Sequence, residues 1–314
     1  MPALLQKIHT ERDYAILRSL FESRLMTRVH MAAIHFGGHE RMAKKRLQKL
    51  AADGLIGDRP RRPDEPKLHY LRKRGYDLLN DAGRLADYPK LGYASFRRRV
   101  DVSPRTLAHE LAVMDVKAAL FAGARQRPAL QLSEFSTWPI LFRFRVRSPS
   151  GRMAWLSPDA FVRLRERDAD GVSEQLFYVE VDRSTESLAV LCRKAAGYLD
   201  HFQSGGMAVR LGGKRDDYRQ FAFRVLWVFR NAERRNNAAA AFIVNNPPIL
   251  TQAWMTTMPE LIANPMGSIW IRPRDYHDAV RGTAFDVSDT SNSGYRRQSE
   301  RDEQVERVIA KQPL

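Results

Sequence analysis

The chain has 314 residues, 44% hydrophobic and 28% charged, enough to bury more than one core, and the length sets an expectation of two domains. Lys and Arg number 52 against 36 Asp and Glu, a formal charge of +16 with a pI near 10.2, which favours a polyanionic partner: nucleic acid or an anionic membrane surface. Apolar runs such as Leu226 to Phe229 and Ala238 to Val244 fall far short of the roughly 18 residues that span a bilayer, so no membrane protein is expected. The opening MPALLQKIHTERDY carries no export signal, and the single cysteine, Cys192, excludes an internal disulfide framework; both point to the cytoplasm.

Residues Thr10 to Arg24 place Tyr14, Ile16, Leu17, Leu20 and Phe21 close to helical spacing, with Thr10 or Glu11 opening the helix. Thr27 is a good N-cap for a second helix carrying Val29, Met31, Ala32, Ala33 and Ile34, which Gly37-Gly38 ends. A third helix is predicted from His39 to Asp53, with Met42, Ala43, Leu47 and Leu50 inward and Arg41, Lys44, Lys45, Arg46 and Lys49 outward or at the border. Gly54 stops it. Leu55-Ile56 and Lys67 to Leu71 then read as two short strands around a Pro- and charge-rich tip, Arg59 to Pro66.

That order, three helices and then a hairpin, predicts a winged helix-turn-helix over residues 8–83. Between Arg41 and Arg74 stand twelve Lys/Arg against four Asp/Glu, so half of the chain's excess charge is concentrated there. A basic helix sized for a major groove, beside a basic loop that reaches phosphates, suits double-stranded DNA. Arg41, Lys44, Lys45, Arg46 and Lys49 are the candidate helix contacts, and Arg61, Arg62 and Lys67 the candidate wing contacts.

Arg74 to Ala82 reads as one more helix, and residues 84–103, with Pro89, Gly92 and Arg97-Arg98-Arg99, as a linker. Ser103-Pro104 caps a long helix to about Ala124 and opens a second domain, 104–285. Strands are predicted at Leu130 to Phe135, Ile140 to Val146, Trp155 to Arg165 and Leu176 to Val181. A helix follows from Ser187 to Phe202, a strand at Phe223 to Phe229 and a helix at Ala232 to Phe242. The fold class is therefore α/β (α+β), with a mixed central sheet flanked by helices.

Asp159 heads one strand and Glu180 and Asp182 end the next, after a hairpin that sets the two side by side. Converging carboxylates make the oxygen-rich site that Mg²⁺ prefers, and such an ion activates water for phosphodiester hydrolysis. The residues resemble the PD-(D/E)XK nuclease superfamily: Pro158-Asp159 matches the first element, and Glu180-Val181-Asp182 the second except for its last letter. The resemblance implies Asp159 and Glu180 as metal ligands for Mg²⁺ or Mn²⁺. Because aspartate cannot replace the motif's lysine, Lys194 on the following helix is the substitute it implies. Glu110 and Glu134 are further acidic candidates.

The segment EVDRSTESLAVLCRKAAGYLDHF, behind an N-terminal winged helix, also resembles the replication-relaxation family, on Glu180, Asp182, Arg183, Thr185, Glu186, Lys194 and Tyr198. This implies a bacterial protein that processes or maintains plasmid or mobile-element DNA, beside a relaxase or replication protein; a homodimer is a separate expectation. Three functions stay open at this point: a metal-dependent DNA endonuclease or nickase, a DNA-binding regulator or accessory factor whose nuclease-like domain dimerises or grips the backbone, and a partner-binding scaffold whose basic surface is incidental.

Other motifs carry less. His30, His35 and His39 have no cysteine or carboxylate cluster to complete a zinc site, and Cys192 sits on an apolar helix face with Leu188 and Leu191. The tail, 286–314, is polar and expected to be disordered, with a short helix from Glu303 to Lys311.

Overall fold

Thr10 opens the first helix with a reciprocal cap: its hydroxyl accepts the Asp13 amide and the Asp13 carboxylate accepts the Thr10 amide. The computed structural model describes residues 9–60, 65–86, 88, 92–98, 100–137, 143–148, 151–284, 305–306 and 308–314. They divide into two compact units, 1–126 with 136–140 and 127–135 with 141–314. Among the described residues no helix is long and apolar enough to cross a membrane.

The first unit contains α1 (Glu11–Ser23), β1 (Met26–Thr27), α2 (Arg28–His35), α3 (Glu40–Ala52), β2 (Ile56–Asp58), β3 (Leu68–Leu71), α4 (Lys73–Asp81), α5 (Tyr93–Arg97) and α6 (Pro104–Arg125). Thr27 caps α2 as Thr10 caps α1, here with His30 Nδ1 accepting the returning amide at 3.2 Å. Gly37 and Gly38 turn the chain into α3 with φ of 63° and 89°, angles that side chains oppose. Ile16, Leu17, Leu20, Phe21, Met31, Leu47 and Leu50 form the core, and β1, β3 and β2 make an antiparallel sheet in that order. β1 was not foreseen, because two residues are too few to show a period.

Met42 departs from the expectation: it is 53% exposed. Ala43, Leu47 and Leu50 define the buried stripe of α3 at helical spacing, and Met42 lies about 100° off it. The boundary between units also differs from the sequence reading. Leu85, Phe96 and Val100, in the segment read as a linker, are buried, and Phe96 stacks on Phe21 with ring centroids 5.6 Å apart. α6 belongs to this unit too, where Arg125 donates to the carbonyls of Ala33 and Ile34 at 2.8 Å, satisfying the open end of α2. The division therefore falls at 126, not at 103.

The second unit contains β4 (Leu130–Thr137, to Phe135), β5 (Phe144–Arg147), β6 (Met153–Leu156), β7 (Ala160–Asp168), β8 (Gly171–Asp182), α7 (Leu188–Gln203) and α8 (Gly206–Arg210). A 3₁₀ turn (Arg215–Phe221) leads to β9 (Arg224–Phe229), α9 (Ala232–Val244), β10 (Ala253–Thr257), α10 (Met258–Ala263) and α11 (Pro273–Ala284). A mixed sheet runs β10-β9-β8-β7-β4, antiparallel between β7 and β8 and parallel through β8, β9 and β10. Leu176 to Asp182 and Val225 to Phe229 are buried throughout, as central strands covered on both faces require. The Asp168 carboxylate accepts the amides of Asp170 and Gly171, closing the β7–β8 hairpin.

The strand predicted from Trp155 to Arg165 is two strands. Pro158 interrupts it, and β6 pairs with β5 in a separate ribbon while β7 enters the sheet. The expectation of a disordered tail is corrected at its end: Val305 and Ile309 are buried, and Gln312 bridges to Trp270 by two backbone hydrogen bonds. Positions 285–304, including most of that predicted segment, lie outside the described residues.

Candidate functional site

The first unit presents one basic surface. Arg41, Lys44, Lys45 and Lys49 are exposed on α3, and among the described residues none of them has a carboxylate partner. Met42 and Val29, each 53% exposed, lie on the starts of α3 and α2. Arg46, placed with this group by the sequence reading, is instead held by both oxygens of the fully buried Asp13. Lys67 pairs with Asp58 at 2.5 Å, and Arg61 and Arg62 lie outside the described residues.

The second unit gathers charges where β8 ends. Asp159 continues the β7–β8 ladder: its amide donates to the Val179 carbonyl at 3.0 Å, and its Oδ2 accepts the Val181 amide at 2.8 Å. Glu180 is 1% exposed. Lys194, from α7, donates to Glu180 Oε2 at 3.0 Å and reaches Glu186 Oε2 at the same distance, while the Tyr198 hydroxyl donates to Glu180 Oε1 at 2.5 Å. Positions 194 and 198 are one helical turn apart, so a single face of α7 supplies both donors. Asp182, two residues along the same strand face, is paired with Arg234 of α9 at 2.5 Å and accepts the Ser184 amide at 3.0 Å.

Burial, aided by the charge of Asp159, pushes Glu180 up to about 7 against the pull of Lys194 and Tyr198. Burial lowers Lys194, but Glu180, Asp159 and Glu186 outweigh it and hold the ammonium above its ordinary range. The Tyr198 hydroxyl is raised by its own burial and by Glu180, so it acts as a donor at neutral pH.

Glu180, Glu186, Lys194 and Tyr198 thus form one hydrogen-bonded network, as the sequence pattern of the resemblance linked them. Lys194 lies within reach of Glu180. Glu110 is in the first unit, paired with Arg24 at 3.3 Å, and Glu134 pairs with Arg163 at 3.3 Å. Tyr198 is named by the family resemblance, one helical turn from Lys194; Arg234, from a helix more than fifty positions past Asp182, left no local signal.

These donors do not fit a divalent metal as they stand. Both Glu180 oxygens already accept, from an ammonium and a phenol, and Asp182 is neutralised by a guanidinium. A hard cation takes carboxylate oxygens with several waters, and at Glu180 the burial leaves no room for them without displacing Lys194 or Tyr198. Among the described residues no group of three or more His, Cys, Asp or Glu is arranged to hold a metal.

A family model described as replication-relaxation matches residues 17–222, well over half of the chain. The chain belongs to the replication-relaxation family. The match spans the basic helix of the first unit and the Glu180 network of the second, and membership suggests a role in replication or relaxation of a plasmid or other mobile element. Comparison of this replication-relaxation protein with curated proteins and with solved structures finds no match.

Proposed function

We propose that this replication-relaxation protein binds double-stranded DNA through its first unit, read as a winged helix-turn-helix with α3 as the recognition helix, and acts in plasmid or mobile-element replication, relaxation or transfer. The observation that carries this reading is the row Arg41, Lys44, Lys45 and Lys49: four exposed cations on one helix, without carboxylate partners among the described residues, in a unit that pairs Arg46, Lys67 and Arg24 internally. Exposed Met42 beside them supplies an apolar contact for a thymine methyl. The second unit, read as PD-(D/E)XK-like, then serves as a non-cleaving scaffold for dimerisation or backbone contact, with a relaxase or replication protein as partner.

Duplex affinity measured across a salt series tests the first unit. Lys44→Ala with Lys45→Ala is expected to weaken binding and to reduce the log–log salt slope by about 2, one for each lost phosphate contact. Affinity insensitive to both salt and these substitutions overturns the reading. A second reading, Mg²⁺-dependent cleavage, draws on the proximity of Lys194 to Glu180. Incubating supercoiled plasmid with Mg²⁺ or Mn²⁺ separates the two: intact plasmid is expected, whereas nicking that disappears in Asp159→Ala and Glu180→Ala establishes the nuclease.

A further inference from the structure

The β5–β6 ribbon has two unlike faces, because alternate residues of a strand point opposite ways. Phe144, Val146 and Leu156 turn toward α7, where the Phe144 ring stacks on His201 with centroids 3.8 Å apart. Gly197 permits the close approach: a Cβ there would lie 2.7 Å from Leu156 Cδ1 and 3.1 Å from Val146 Cγ2. The Arg147 amide donates to Asp200 at 2.8 Å, fixing the ribbon to the same helix. The register then pairs Arg145 with Trp155 and Arg147 with Met153 on the outer face, and Arg143 and Arg152 flank the strands.

All six of these outer residues are exposed, Trp155 to 58% and Met153 to 49%. The Arg143 guanidinium lies 4.6 Å and that of Arg145 6.0 Å from the Trp155 ring centroid. Among the described residues none of the four arginines is paired with a carboxylate, although the same unit pairs Arg163, Arg165, Arg234, Arg235 and Arg272. Packing accounts for the inner face and not for the outer one. A flat aromatic surface set among unneutralised cations suits a ligand with a planar ring and a run of negative charge.

We propose that the outer face of β5–β6 is a second nucleic-acid site, selective for single-stranded DNA, in which Trp155 stacks an unpaired base and Arg143, Arg145, Arg147 and Arg152 hold the adjoining phosphates. A paired base hides its face within the duplex, so the indole gains its contact only where strands are separated. The proposal shares with the previous section the premise that DNA is the partner, but it uses different residues and a different substrate. A protein acting in replication or relaxation meets strands in both states, and the two surfaces divide them.

The test is anisotropy of a labelled oligothymidylate with the full chain. Trp155→Ala, and Arg145→Gln with Arg147→Gln, are each expected to weaken its binding about ten-fold or more, the loss that follows removal of a stacked base or its phosphate contacts. Trp155→Phe, which keeps an aromatic face, retains most of the affinity, and the fluorescence quenching seen on wild type shrinks with the indole gone. Because these side chains are exposed, unchanged melting temperatures accompany the losses. Wild-type affinity in Trp155→Ala, no binding by wild type, or displacement by polyglutamate equal to that by unlabelled oligonucleotide overturns the proposal. Lys44→Ala with Lys45→Ala, assayed on duplex, reports separately on the first unit: a ribbon that fails while duplex binding persists leaves that reading standing, and the converse leaves this one.

Discussion

Lys194 and Glu180 meet at 3.0 Å in the interior of the second unit, the ammonium shared with Glu186 and the carboxylate shared with Tyr198. The charge of Glu180 is stabilised there by two donors from one helix; if Glu180 is removed, Tyr198 loses this acceptor and Lys194 is left with Glu186. Breaking one side of such a pair costs more than removing both, because a lone buried charge has nothing to replace its hydration. Above pH 7, where folded Glu180 is ionised, Lys194→Met is therefore expected to destabilise the protein by about 3–5 kcal/mol, with Lys194→Met plus Glu180→Gln recovering a large part of the loss. Urea unfolding of the two variants checks this, and equal losses contradict it.

The raised pKa of Glu180 has a definite sign in stability. Folded, the carboxyl holds its proton up to about 7, whereas unfolded it releases it in the ordinary glutamate range, so between the two the folded state binds more protons. Stability contributed by this group is present at acid pH and falls as pH rises toward 7. Glu180→Gln fixes the neutral form and lacks that dependence. The melting temperature of wild type minus that of Glu180→Gln is expected to drop between about pH 5 and pH 7. The subtraction cancels the opposite trend from His35 and His201, both held down to about 4, first by burial and then by neighbouring cations. A flat difference across that window contradicts the assignment.

Arg46 separates structure from binding on a single helix. Its guanidinium caps the fully buried Asp13, whose carboxyl, despite the upward push of burial, is held below its ordinary value by Arg46 and Thr10. Arg46→Ala is expected to cost about 3 kcal/mol or more by leaving Asp13 without its counter-charge, whereas Lys44→Ala and Lys45→Ala, at exposed positions, are expected to change stability by about 0.5 kcal/mol or less. Chemical denaturation of the three variants distinguishes them. A stability ranking in which Lys44 or Lys45 matters as much as Arg46 contradicts the division of roles.

The helices of the first unit were legible because their caps and stops are local: Thr10, Thr27, Gly37-Gly38 and Gly54 each act within a few residues. So was the β7–β8 hairpin that brings Asp159 to Glu180. What sequence could not show depends on distant partners. Arg46 looks like any other cation of a basic helix until Asp13, on another helix, is placed against it. Residues 84–103 have the composition of a linker, yet Leu85, Phe96 and Val100 are buried and Phe96 stacks on Phe21. Asp182 reads as a member of the acidic site by its position beside Glu180, and only α9 reveals that Arg234 occupies it.

The same dependence on distant partners governs the C-terminal residues. Arg235, on α9, is fully buried and is neutralised by Glu260 at 3.2 Å and by Glu306, while Lys311 returns to Glu260 at 2.6 Å. Glu306 and Lys311 come from a stretch whose composition alone predicts disorder, and Val305 and Ile309 anchor it to the core. Burying two such side chains contributes about 1.5–3 kcal/mol each, before the ion pairs are counted. Removal of residues 305–314 is therefore expected to lower the melting temperature of the second unit sharply. Glu306→Gln alone, which keeps the apolar contacts and one hydrogen bond, is expected to cost about 1–3 kcal/mol. Calorimetry on both variants checks the pair, and a truncated chain that melts with wild type would mean that the segment adds nothing to the core.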